Sequence, residues 1–357
     1  MSIQLILERD RPDLFSTYWQ EILNQYRPSP RYLLTSLAAY PLTAKEKGVD
    51  YVNASFVYLV NNKPLAGVFL PIEKSAEVCA VSCLGDYVDA PLILDKAIEK
   101  DVFRLIDELA LEHRVDKMLF QVDPLETDRF NYNFLQEYGY LDTSILNYVV
   151  DLTVPDIYKQ CRENHRRNIK RILNDAAYSI FTIDSSNPSY ESHEEYRELH
   201  RRCSGRVTRP KETFDLQFKK LIDGQAALFG LKYKEKDIAY VYFEHNGNVA
   251  AYCSAADDPE YDRLPLYHAL IYSALEYYKN KGIRLVDMEQ PSTPSAQYDS
   301  LPDQKQLQIA HFKSGFPGTF VQNFRGVKYF SADQFERDNA AFARDYISLI
   351  QANSTNS

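Results

Sequence analysis

The sequence predicts a mixed α/β fold, in which helices cover a sheet of parallel and antiparallel strands, built twice along the chain. The chain has 357 residues, and at about 100–200 residues per domain this length predicts two domains. Its apolar share of 45% is large enough for two cores. Strands and helices follow one another in the same order in residues 51–152 and again in residues 226–329. Helices between strands imply crossover connections, and hence a mixed sheet with helices packed on it.

The first half, residues 1–152, begins its predicted sheet with two strands joined by a turn at residues 61–63. A loop with a short strand follows, and a helix, a strand, a short helix and a long last strand complete the half. The predicted elements are strands at residues 51–60, 65–72 and 80–84, a helix at 98–113, a strand at 117–122, a short helix at 130–138 and a strand at 141–152.

The second half contains Asn246-Gly247 between two alternating apolar runs. This dipeptide favours a hairpin, because a type I′ turn needs positive φ at both central residues. Gly282 is expected to end the following amphipathic helix as a left-handed cap. The predicted elements are helical insertions at 155–174, 190–203 and 212–223 within residues 153–225, strands at 226–233, 238–244 and 248–256, a helix at 265–281, a strand at 283–288, helices at 303–314 and 332–351, and between these two a strand at 319–329.

The composition excludes several classes of protein. The mean hydropathy is −0.41, and no apolar stretch approaches the ~18 residues of a membrane-spanning helix. Glu8 interrupts the first apolar run, and no basic region precedes it, so we expect neither a signal peptide nor membrane insertion. The five cysteines match no zinc or redox spacing. These features predict a cytoplasmic protein with reduced thiols and no metal site.

The net charge of −9 conceals a basic block. Residues 159–211 contain 12 Lys and Arg against 7 Asp and Glu, a local charge of 12 − 7 = +5, so the rest of the chain carries −9 − 5 = −14. Arg166 and Arg167 head two basic rows on one predicted helix, at i,i+4 spacing from Lys170 and Arg171. A solvated helix face explains such rows, and so does a bound anion.

We expect the anion to be a compact phosphate or diphosphate, because guanidinium groups match its geometry. The candidate contacts are Arg166, Arg167, Arg206 and Arg209. DNA is not expected as a partner, since the chain is acidic overall and has no helix-turn-helix, zinc-finger or RNA-binding signature.

The order of elements, read twice, resembles the GNAT acyltransferase fold. Residues 164–171 resemble the basic helix that opens the second domain of the Fem-type aminoacyltransferases, and residues 196–209 and then 214–222 resemble the helical segment after it. The run from Ile309 to Phe316 is similar to that family's closing Phe-Lys-Gly-Phe pattern, and residues 286–288 resemble the strand ending in aspartate before it. The resemblance implies two tandem GNAT-like domains packed against each other, at residues 1–152 and 153–357, with inserted helices.

The resemblance implies one of two reactions. Fem-type enzymes move an amino acid from charged tRNA to a peptidoglycan precursor. Relatives in surface-polysaccharide pathways move an acyl group from acyl-CoA to the amino group of a dTDP- or UDP-linked amino sugar. This sequence lacks the long coiled-coil arm often found in tRNA-using members, and its acidity argues against a large RNA partner. We therefore expect the second reaction, an N-acyl transfer by direct attack, with the first as the alternative.

The position of the CoA site is less well indicated. The usual glycine-rich loop before the helix at Pro265 is replaced by residues 257–264, which contain four acids and no glycine. A phosphate would then sit on the free N–H groups at the helix start, next to Tyr267 and His268, which are the expected cofactor contacts.

N-acylation needs a base for the ammonium group of the acceptor and a donor facing the oxyanion. The candidate bases are Asp86, in the loop at residues 85–91, and Asp287 and Glu289, which lie on one face at the end of a strand. An aspartate-rich turn and a surface ion pair are their alternative explanations. Lys313 matches the family lysine near the reacting carbonyl or the phosphates.

Further substrate contacts are expected from Asp89, Phe312 and aromatic residues. The chain has 27 Tyr, and tyrosine offers a flat face and a hydroxyl to a nucleotide sugar; Tyr87, Tyr252, Tyr267 and Tyr298 are the expected site members. The polar loop at residues 290–302 is expected to close over substrate. A third hypothesis, a non-catalytic binding protein with a duplicated fold, requires Asp287 and Glu289 to point away from any cleft. The oligomeric state is left open.

Overall fold

The computed structural model describes residues 2–26, 28–125, 132–289 and 301–355. The strands are β1 (Ile3–Leu7), β2 (Asp50–Asn53), β3 (Phe56–Val60), β4 (Lys63–Val68), β5 (Pro71–Lys74), β6 (Cys79–Val81), β7 (Val88–Asp89), β8 (Leu92–Ile93), β9 (Lys117–Gln121), β10 (Leu141–Asp142), β11 (Ile145–Asp151), β12 (Tyr178–Ile183), β13 (Ala226–Tyr233), β14 (Lys236–Asn246), β15 (Val249–Asp257), β16 (Leu285–Asp287), β17 (Gly318–Asn323) and β18 (Arg325–Tyr329). The helices are α1 (Pro12–Tyr26), α2 (Leu34–Leu37), α3 (Ala39–Glu46), α4 (Glu99–Glu112), α5 (Ile157–Gln160), α6 (Glu163–Leu173), α7 (Tyr190–Ser204), α8 (Lys211–Ile222), α9 (Leu266–Asn280), α10 (Gln304–Lys313) and α11 (Ala332–Thr355).

The described strands form three sheets, which confirms the predicted mixed α/β class. A four-stranded sheet has the order β1-β3-β4-β8, and a seven-stranded sheet has the order β10-β18-β9-β6-β5-β2 with β7 also paired to β9. The other seven-stranded sheet has the order β12-β13-β14-β15-β16-β11-β17. We call the last two the first and second main sheets. Parallel pairing occurs where β6 and β7 meet β9 and where β15 meets β16.

Each of three strands predicted in the first half is two strands in the structure. The strand predicted at 141–152 divides into β10, in the first main sheet, and β11, in the second. The run predicted at 51–60 breaks at Ala54-Ser55 into β2 and β3, which belong to different sheets. The run predicted at 65–72 divides in the same way into β4 and β5. The break is fixed by the Ser55 side chain, whose hydroxyl accepts a hydrogen bond from the Leu70 backbone N–H at 3.0 Å. An apolar run bent between two sheets keeps its alternation, so its pattern reads as one strand.

The two halves exchange their last strands. β11 lies in the second main sheet, where it pairs antiparallel with both β16 and β17. β18, which comes from the other half, lies in the first main sheet between β9 and β10. The prediction of a single strand at 319–329 is therefore wrong, since β17 and β18 belong to different sheets. The division at residue 152 stays a prediction.

The second main sheet carries helices on both faces. α6 and α9 pack on one face, where Ile169 and Leu270 share a core with Val241. α7 and α8 pack on the other, where Phe214 shares a core with Tyr242. The side chains of β14 therefore alternate between the two cores, as strand geometry requires.

The helical insertion differs from its prediction in two places. The helix predicted at 155–174 is interrupted at Cys161-Arg162, which separates α5 from α6. Residues 178–183 form β12, an edge strand paired to β13, where only helices were expected. The strand was missed because Tyr178–Ile183 is short and its neighbours are strongly helical.

The join between α6 and α10 depends on Gly315. A Cβ placed on this residue would lie 2.2 Å from the His165 ring. That ring is confined by Phe312, Phe316 and His268, with ring centroids 5.3, 5.0 and 4.5 Å away. His165 is also fixed by a hydrogen bond between its Nε2 and the Phe312 carbonyl oxygen at 2.9 Å. The join therefore has no room for a methyl group.

We expect Gly315→Ala to lower the free energy of unfolding by about 1–3 kcal/mol, the usual cost of overpacking, as measured by urea denaturation. In a His165→Ala background the clash is absent, so the same substitution should cost less than half as much. Equal costs in the two backgrounds would contradict this account of Gly315.

Candidate functional site

The centre of the candidate site is Arg31, in a short turn at Pro30–Tyr32. The turn is anchored to the first half by two hydrogen bonds: Trp19 donates to the Tyr32 carbonyl oxygen at 2.9 Å, and the Tyr32 hydroxyl donates to the Ala90 carbonyl oxygen at 2.9 Å. Asn246 of the second half donates to the Pro28 carbonyl oxygen at 2.7 Å. The backbone of Arg31 is thus held between the two halves.

Asp287, at the end of β16, is the ion-pair partner of Arg31. Its Oδ2 accepts a hydrogen bond from Arg31 Nη2 at 3.1 Å. Its Oδ1 accepts one from the Asn147 side chain at 2.9 Å and one from the Glu289 backbone N–H at 2.8 Å. The residue is 1% exposed. Because both of its oxygens are occupied and solvent is excluded, Asp287 is placed to hold Arg31 rather than to accept a substrate proton.

Glu289 is the more accessible carboxylate of the same strand end. Its side chain is 39% exposed, and its Oε1 lies 3.9 Å from Arg31 Nη2. Its backbone has φ of 56°, the left-handed conformation, which costs free energy in a residue with a Cβ. Burial raises the pKa of Glu289, while Arg31 opposes the rise. A carboxylate with a raised pKa that substrate can reach is suited to general base chemistry.

Two carboxylates of the first half face the same arginine. Asp89, on β7, accepts a hydrogen bond from Gln121 at 3.1 Å, and burial raises its pKa while Arg31 opposes the rise. Asp123 follows β9 and is 1% exposed. Its Oδ1 accepts from the Leu125 backbone N–H at 2.8 Å, and the Ser29 side chain is a further hydrogen-bonding neighbour of the carboxylate. Burial raises the pKa of Asp123 to about 7, against the opposing effect of Arg31.

We call Arg31, Asp89, Asp123, Asp287 and Glu289 the Arg31 cluster. Burial alone would lower the pKa of Arg31, but the four carboxylates raise it well above its usual value. Each of Asp123 and Asp287 stands at the end of a strand that has a parallel neighbour, one in each half. The cluster thus joins corresponding ends of the two main sheets.

Lys313 ends α10 beside the cluster. It is buried, and its Nζ lies 5.0 Å from the centre of the Tyr252 ring. Burial lowers the pKa of Lys313, with Glu289 and Asp287 opposing the change. A buried ammonium of lowered pKa releases a proton more readily than an exposed one, and it stabilises a nearby negative charge strongly.

The second main sheet opens next to Lys313 and Glu289. β15 pairs with β16 only over Val249–Ala251, whereas it remains paired with β14 as far as Asp257. The ladder between β14 and β15 skips Cys253, which forms a bulge. The described part of β15 beyond Ala251 therefore has a free edge towards Glu289. In the first half the corresponding gap is closed, because β7 resumes pairing with β9 after β6 ends.

The residues expected at a cofactor site lie at the start of α9. The Tyr267 hydroxyl donates to Asp257 at 2.6 Å, and His268 Nε2 lies 3.2 Å from Asn168 Nδ2. Burial, and then His165, lower the pKa of His268 to about 4, so His268 is neutral at pH 7. Asp258 is buried in salt bridges to Arg202 and Lys236 at 2.8 and 2.9 Å. Part of the acidity before α9 is therefore neutralised by protein cations.

The four arginines proposed from the basic block do not share one site. Arg166 and Arg167 are on α6, and Arg209 and Arg206 are at the loop between α7 and α8, which pack on the opposite face of the sheet. Arg166 donates to the Lys159 and Cys161 carbonyl oxygens at 3.1 and 2.6 Å. The expectation of one diphosphate site formed by all four is therefore wrong, because a sheet separates the pairs.

Arg209 is the member of the basic block that most resembles an anion ligand. Its guanidinium stacks on Phe214 at 4.1 Å and donates to Gln217 at 3.0 Å, while its buried Nε has no partner among the described residues. It lines two neighbouring cavities. One is about 230 Å³ and is also lined by Arg206; the other is about 110 Å³ and is also lined by Thr35, whose buried hydroxyl likewise has no described partner.

The remaining predicted site residues have other environments. Asp86 is exposed in a turn and accepts a hydrogen bond from the Tyr87 backbone N–H at 2.8 Å. Tyr87 is buried, with its hydroxyl 2.7 Å from the Thr143 hydroxyl. Phe312 packs on His165 in the join between α6 and α10. Tyr298 and nearly all of the loop at 290–302 lie outside the described residues.

Sequence reasoning missed Arg31 and Asp123. Arg31 lies outside the basic block, in a segment without a periodic pattern, so nothing local distinguishes it. Asp123 was detectable, since Val122-Asp123 directly follows β9 much as Val286-Asp287 ends β16.

Two general findings bear on the chemistry. Among the described residues no helix has the length and apolar character needed to span a bilayer. Within the same part of the chain, no group of three or more His, Cys, Asp and Glu residues comes together in a way that would hold a metal ion.

Residues 159–298 match the family model described as "Acetyltransferase (GNAT) domain". This range contains β15, β16 and the opening between them. The match confirms the prediction of an acyltransferase, and it lies within the half whose sheet is open. No curated protein matches the sequence.

Solved structures share the fold along nearly the whole chain. "Crystal structure of FemX" matches with a TM-score of 0.62 at 12% identity, covering 94% of this chain and 99% of that one. L-PGS from Bacillus licheniformis matches with a TM-score of 0.56 at 12% identity, covering 91% and 96%. A tandem GNAT protein from the clavulanic acid biosynthesis pathway matches with a TM-score of 0.50 at 14% identity, covering 92% and 98%. The chain is thus similar to tandem GNAT structures, as predicted.

The Arg31 cluster predicts a particular dependence of stability on pH. The pKa of Asp123 is about 7 in the folded chain and about 3.9 in an unfolded chain. The folded chain therefore binds this proton more tightly, and its stability falls as pH rises from about 4 to about 7. We expect Asp123→Asn to remove about 2–3 kcal/mol of the loss between pH 5 and pH 8, as measured by urea denaturation.

Asp86→Asn, which removes an exposed negative charge from the same half, is the matched control and should follow the wild type. Parallel pH profiles for the wild type and Asp123→Asn would contradict the burial of an ionisable Asp123.

Proposed function

We propose that the protein transfers an acyl group from acyl-CoA to the amino group of a dTDP- or UDP-linked amino sugar, by direct attack. The observation that carries the proposal is that Glu289 and Lys313 lie near each other beside the open edge of β15, where Lys313 Nζ is 5.0 Å from the centre of the Tyr252 ring. One is an accessible carboxylate of raised pKa and the other a buried ammonium of lowered pKa. A base and an acid with opposed pKa shifts are what an amide-forming transfer requires.

The first step is the loss of a proton from the acceptor. Amino sugars reach the site as ammonium ions, and the Arg31 cluster has four carboxylates against one guanidinium, so it attracts a cation. Glu289 takes the proton, since its side chain is accessible, whereas Asp287 is fully hydrogen-bonded. The freed amine then has its lone pair available for attack on the thioester carbonyl.

The second step forms the C–N bond and breaks the C–S bond. Negative charge develops on the carbonyl oxygen and then on the leaving sulfur. Backbone N–H groups at the free edge of β15, near the Cys253 bulge, are available to the oxyanion. Lys313 gives its proton to the departing thiolate, which its lowered pKa favours. The proton first held by Glu289 passes to solvent through its exposed side, and Glu289 then takes the second proton, which the nitrogen loses as the amide forms. Lys313 regains its proton from solvent.

The residues present fit acyl-CoA at the thioester end more clearly than at the phosphate end. The free edge of β15 gives an extended chain main-chain groups to bind, and the first turn of α9 offers N–H groups to a phosphate. His268 is neutral there, so it adds no positive charge for a phosphate. Arg167 is exposed on α6, next to Asn168, whose side chain contacts His268.

We assign the nucleotide diphosphate to the two cavities around Arg209. The unpartnered guanidinium Nε and the unpartnered Thr35 hydroxyl are a charged and a neutral donor at one site, which suits phosphate oxygens. Glu244 and Lys220 on the wall of the smaller cavity already pair with each other at 2.6 Å, so they leave Arg209 as its free charge. Arg206 adds a second cation on the side of the larger cavity.

Fem-type aminoacyl transfer from charged tRNA to a peptidoglycan precursor is the second candidate. It is favoured by the likeness to the structure named FemX over nearly the whole of both chains. The same Glu289 and Lys313 would serve it, because an ester of tRNA is attacked by an amine in the same way. The donor therefore distinguishes the two functions, and both place the reaction in the cytoplasm.

We expect the protein to release free thiol from acyl-CoA when it is offered a panel of dTDP- or UDP-linked amino sugars. Glu289→Gln should lower kcat by about a hundredfold or more, because it removes the base, and it should leave the urea midpoint nearly unchanged. Asp287→Asn should lower both kcat and the urea midpoint, because it removes the ion-pair partner of Arg31. Failure to release thiol with every pair of substrates would contradict the proposal, and product formed from aminoacyl-tRNA would support the alternative.

Arg209→Ala should raise KM for the nucleotide sugar by about tenfold or more with little change in kcat, because a charged hydrogen bond to phosphate is lost. Arg171→Ala removes an exposed cation from the opposite face of the sheet and is the matched control. An unchanged KM for Arg209→Ala would rule out the diphosphate site.

A further inference from the structure

A cavity of about 360 Å³ lies between the first main sheet and α11, on the side away from α4. Its floor is formed by two cross-strand pairs of β9 and β18, Leu119 with Val327 and Lys117 with Tyr329. Its roof is the inward face of α11, with Ala341 and Phe342. The mechanism proposed above uses none of these residues.

The polar groups of Lys117, Tyr329 and Tyr87, which line the cavity, already have hydrogen-bond partners within the protein. The Lys117 ammonium is paired with Asp338 at 2.6 Å, and the Tyr329 hydroxyl donates to the same carboxylate at 2.9 Å. The Tyr87 hydroxyl is 2.7 Å from that of Thr143. The other lining groups are apolar side chains, apart from Asp345 on the exposed rim. Below the rim, the described lining residues offer a sugar or a phosphate no unused partner, whereas a hydrocarbon chain needs none.

The cavity continues the face on which the Arg31 cluster lies. Side chains two residues apart on a strand share a face, so Tyr87 points with Asp89, and Leu119 points with Gln121. Asp89 and Gln121 are hydrogen-bonded to each other at 3.1 Å, and Asp89 faces Arg31. The nearest part of the apolar floor, Leu119, is thus about 7 Å along β9 from Gln121, at about 3.3 Å per residue, and Gln121 contacts the cluster through Asp89. Asp89 and Gln121 therefore form a polar row beside the Arg31 cluster, and the apolar cavity follows this row along the same face.

From this arrangement we infer that the cavity beneath α11 binds the alkyl part of the transferred acyl group, so that the donor is a medium-chain acyl-CoA rather than acetyl-CoA. The inference rests on the proposed function. The thioester carbonyl lies at the free edge of β15 beside Glu289, and the chain extends past Asp89 and Gln121 and over Leu119 and Val327 towards Lys117. Each methylene buried in the pocket is expected to raise kcat/KM by up to about fourfold.

The test compares acetyl-, butyryl-, hexanoyl- and octanoyl-CoA with one amino-sugar acceptor. We expect kcat/KM to rise by about tenfold or more from acetyl to octanoyl. Ala341→Trp fills the cavity from the roof and should abolish the rise while leaving the acetyl rate unchanged. Ala343→Trp, on the exposed side of the same helix, is the matched control and should keep it. A flat chain-length profile in the wild type, or a rise that survives Ala341→Trp, would overturn the inference.

A binding measurement separates this inference from the proposed function. A dansyl-labelled undecanoic acid should increase in fluorescence on binding to the wild type and to Ala343→Trp, but not to Ala341→Trp. If that pattern appears while no acyl-CoA is turned over, the apolar pocket stands and the acyl-CoA reaction fails. If the probe binds all three proteins equally, or none, the pocket assignment is wrong whatever the activity. A preference for long alkyl chains on the acceptor, with none on the donor, would also contradict it.

Discussion

The interaction on which the rest of the structure depends is the contact of Arg31 with four carboxylates. Two of them belong to each half, and a guanidinium is well suited to the position because it stays charged and carries five donors in a fixed plane. Removing the arginine would leave buried negative charges facing one another across the join, which costs several kcal/mol. Arg31 therefore fixes how the two sheet ends meet, and that geometry creates the crevice beside Glu289.

The exchange of β11 and β18 has a related consequence. Each main sheet contains a strand from the other half, so neither sheet is complete without its neighbour. The ends of β9 and β16, which carry Asp123 and Asp287, are held in register by this pairing as well as by Arg31. A site assembled from two rigid sheet ends is more precisely positioned than one assembled from loops. The two halves also differ at corresponding positions. In the second half β15 and β16 separate after Ala251, whereas in the first half β7 pairs with β9 where β6 ends.

The carboxylates of the Arg31 cluster differ in hydrogen bonding, accessibility and pKa, and these differences indicate a different role for each of them. Asp287 has every oxygen occupied and serves to orient Arg31. Glu289, two residues later and on a strained backbone, remains accessible. Asp123 is kept near neutrality by its raised pKa, which relieves repulsion that four ionised groups would otherwise suffer. Lys313, beside the open edge of β15, has a pKa that is lowered instead of raised. The acids and the ammonium thus have different proton affinities in one small volume, which is the condition for moving a proton in steps.

The sequence by itself determined the fold class, the two similar halves, the amphipathic helices such as α4 and α9, and the pair Asp287 and Glu289. These follow from periodicity and turn chemistry, which are local properties of the chain. Only the tertiary structure decided that the strands predicted at 51–60 and 319–329 are each divided between two sheets, that Arg166 and Arg209 lie on opposite faces, and that Arg31 is the centre of the site. The reason is physical: a side chain's partners across the fold are distant in sequence, and Arg31 is 256 residues from Asp287. Composition revealed a basic block, but the sheet between its parts determined which of its charges can act together.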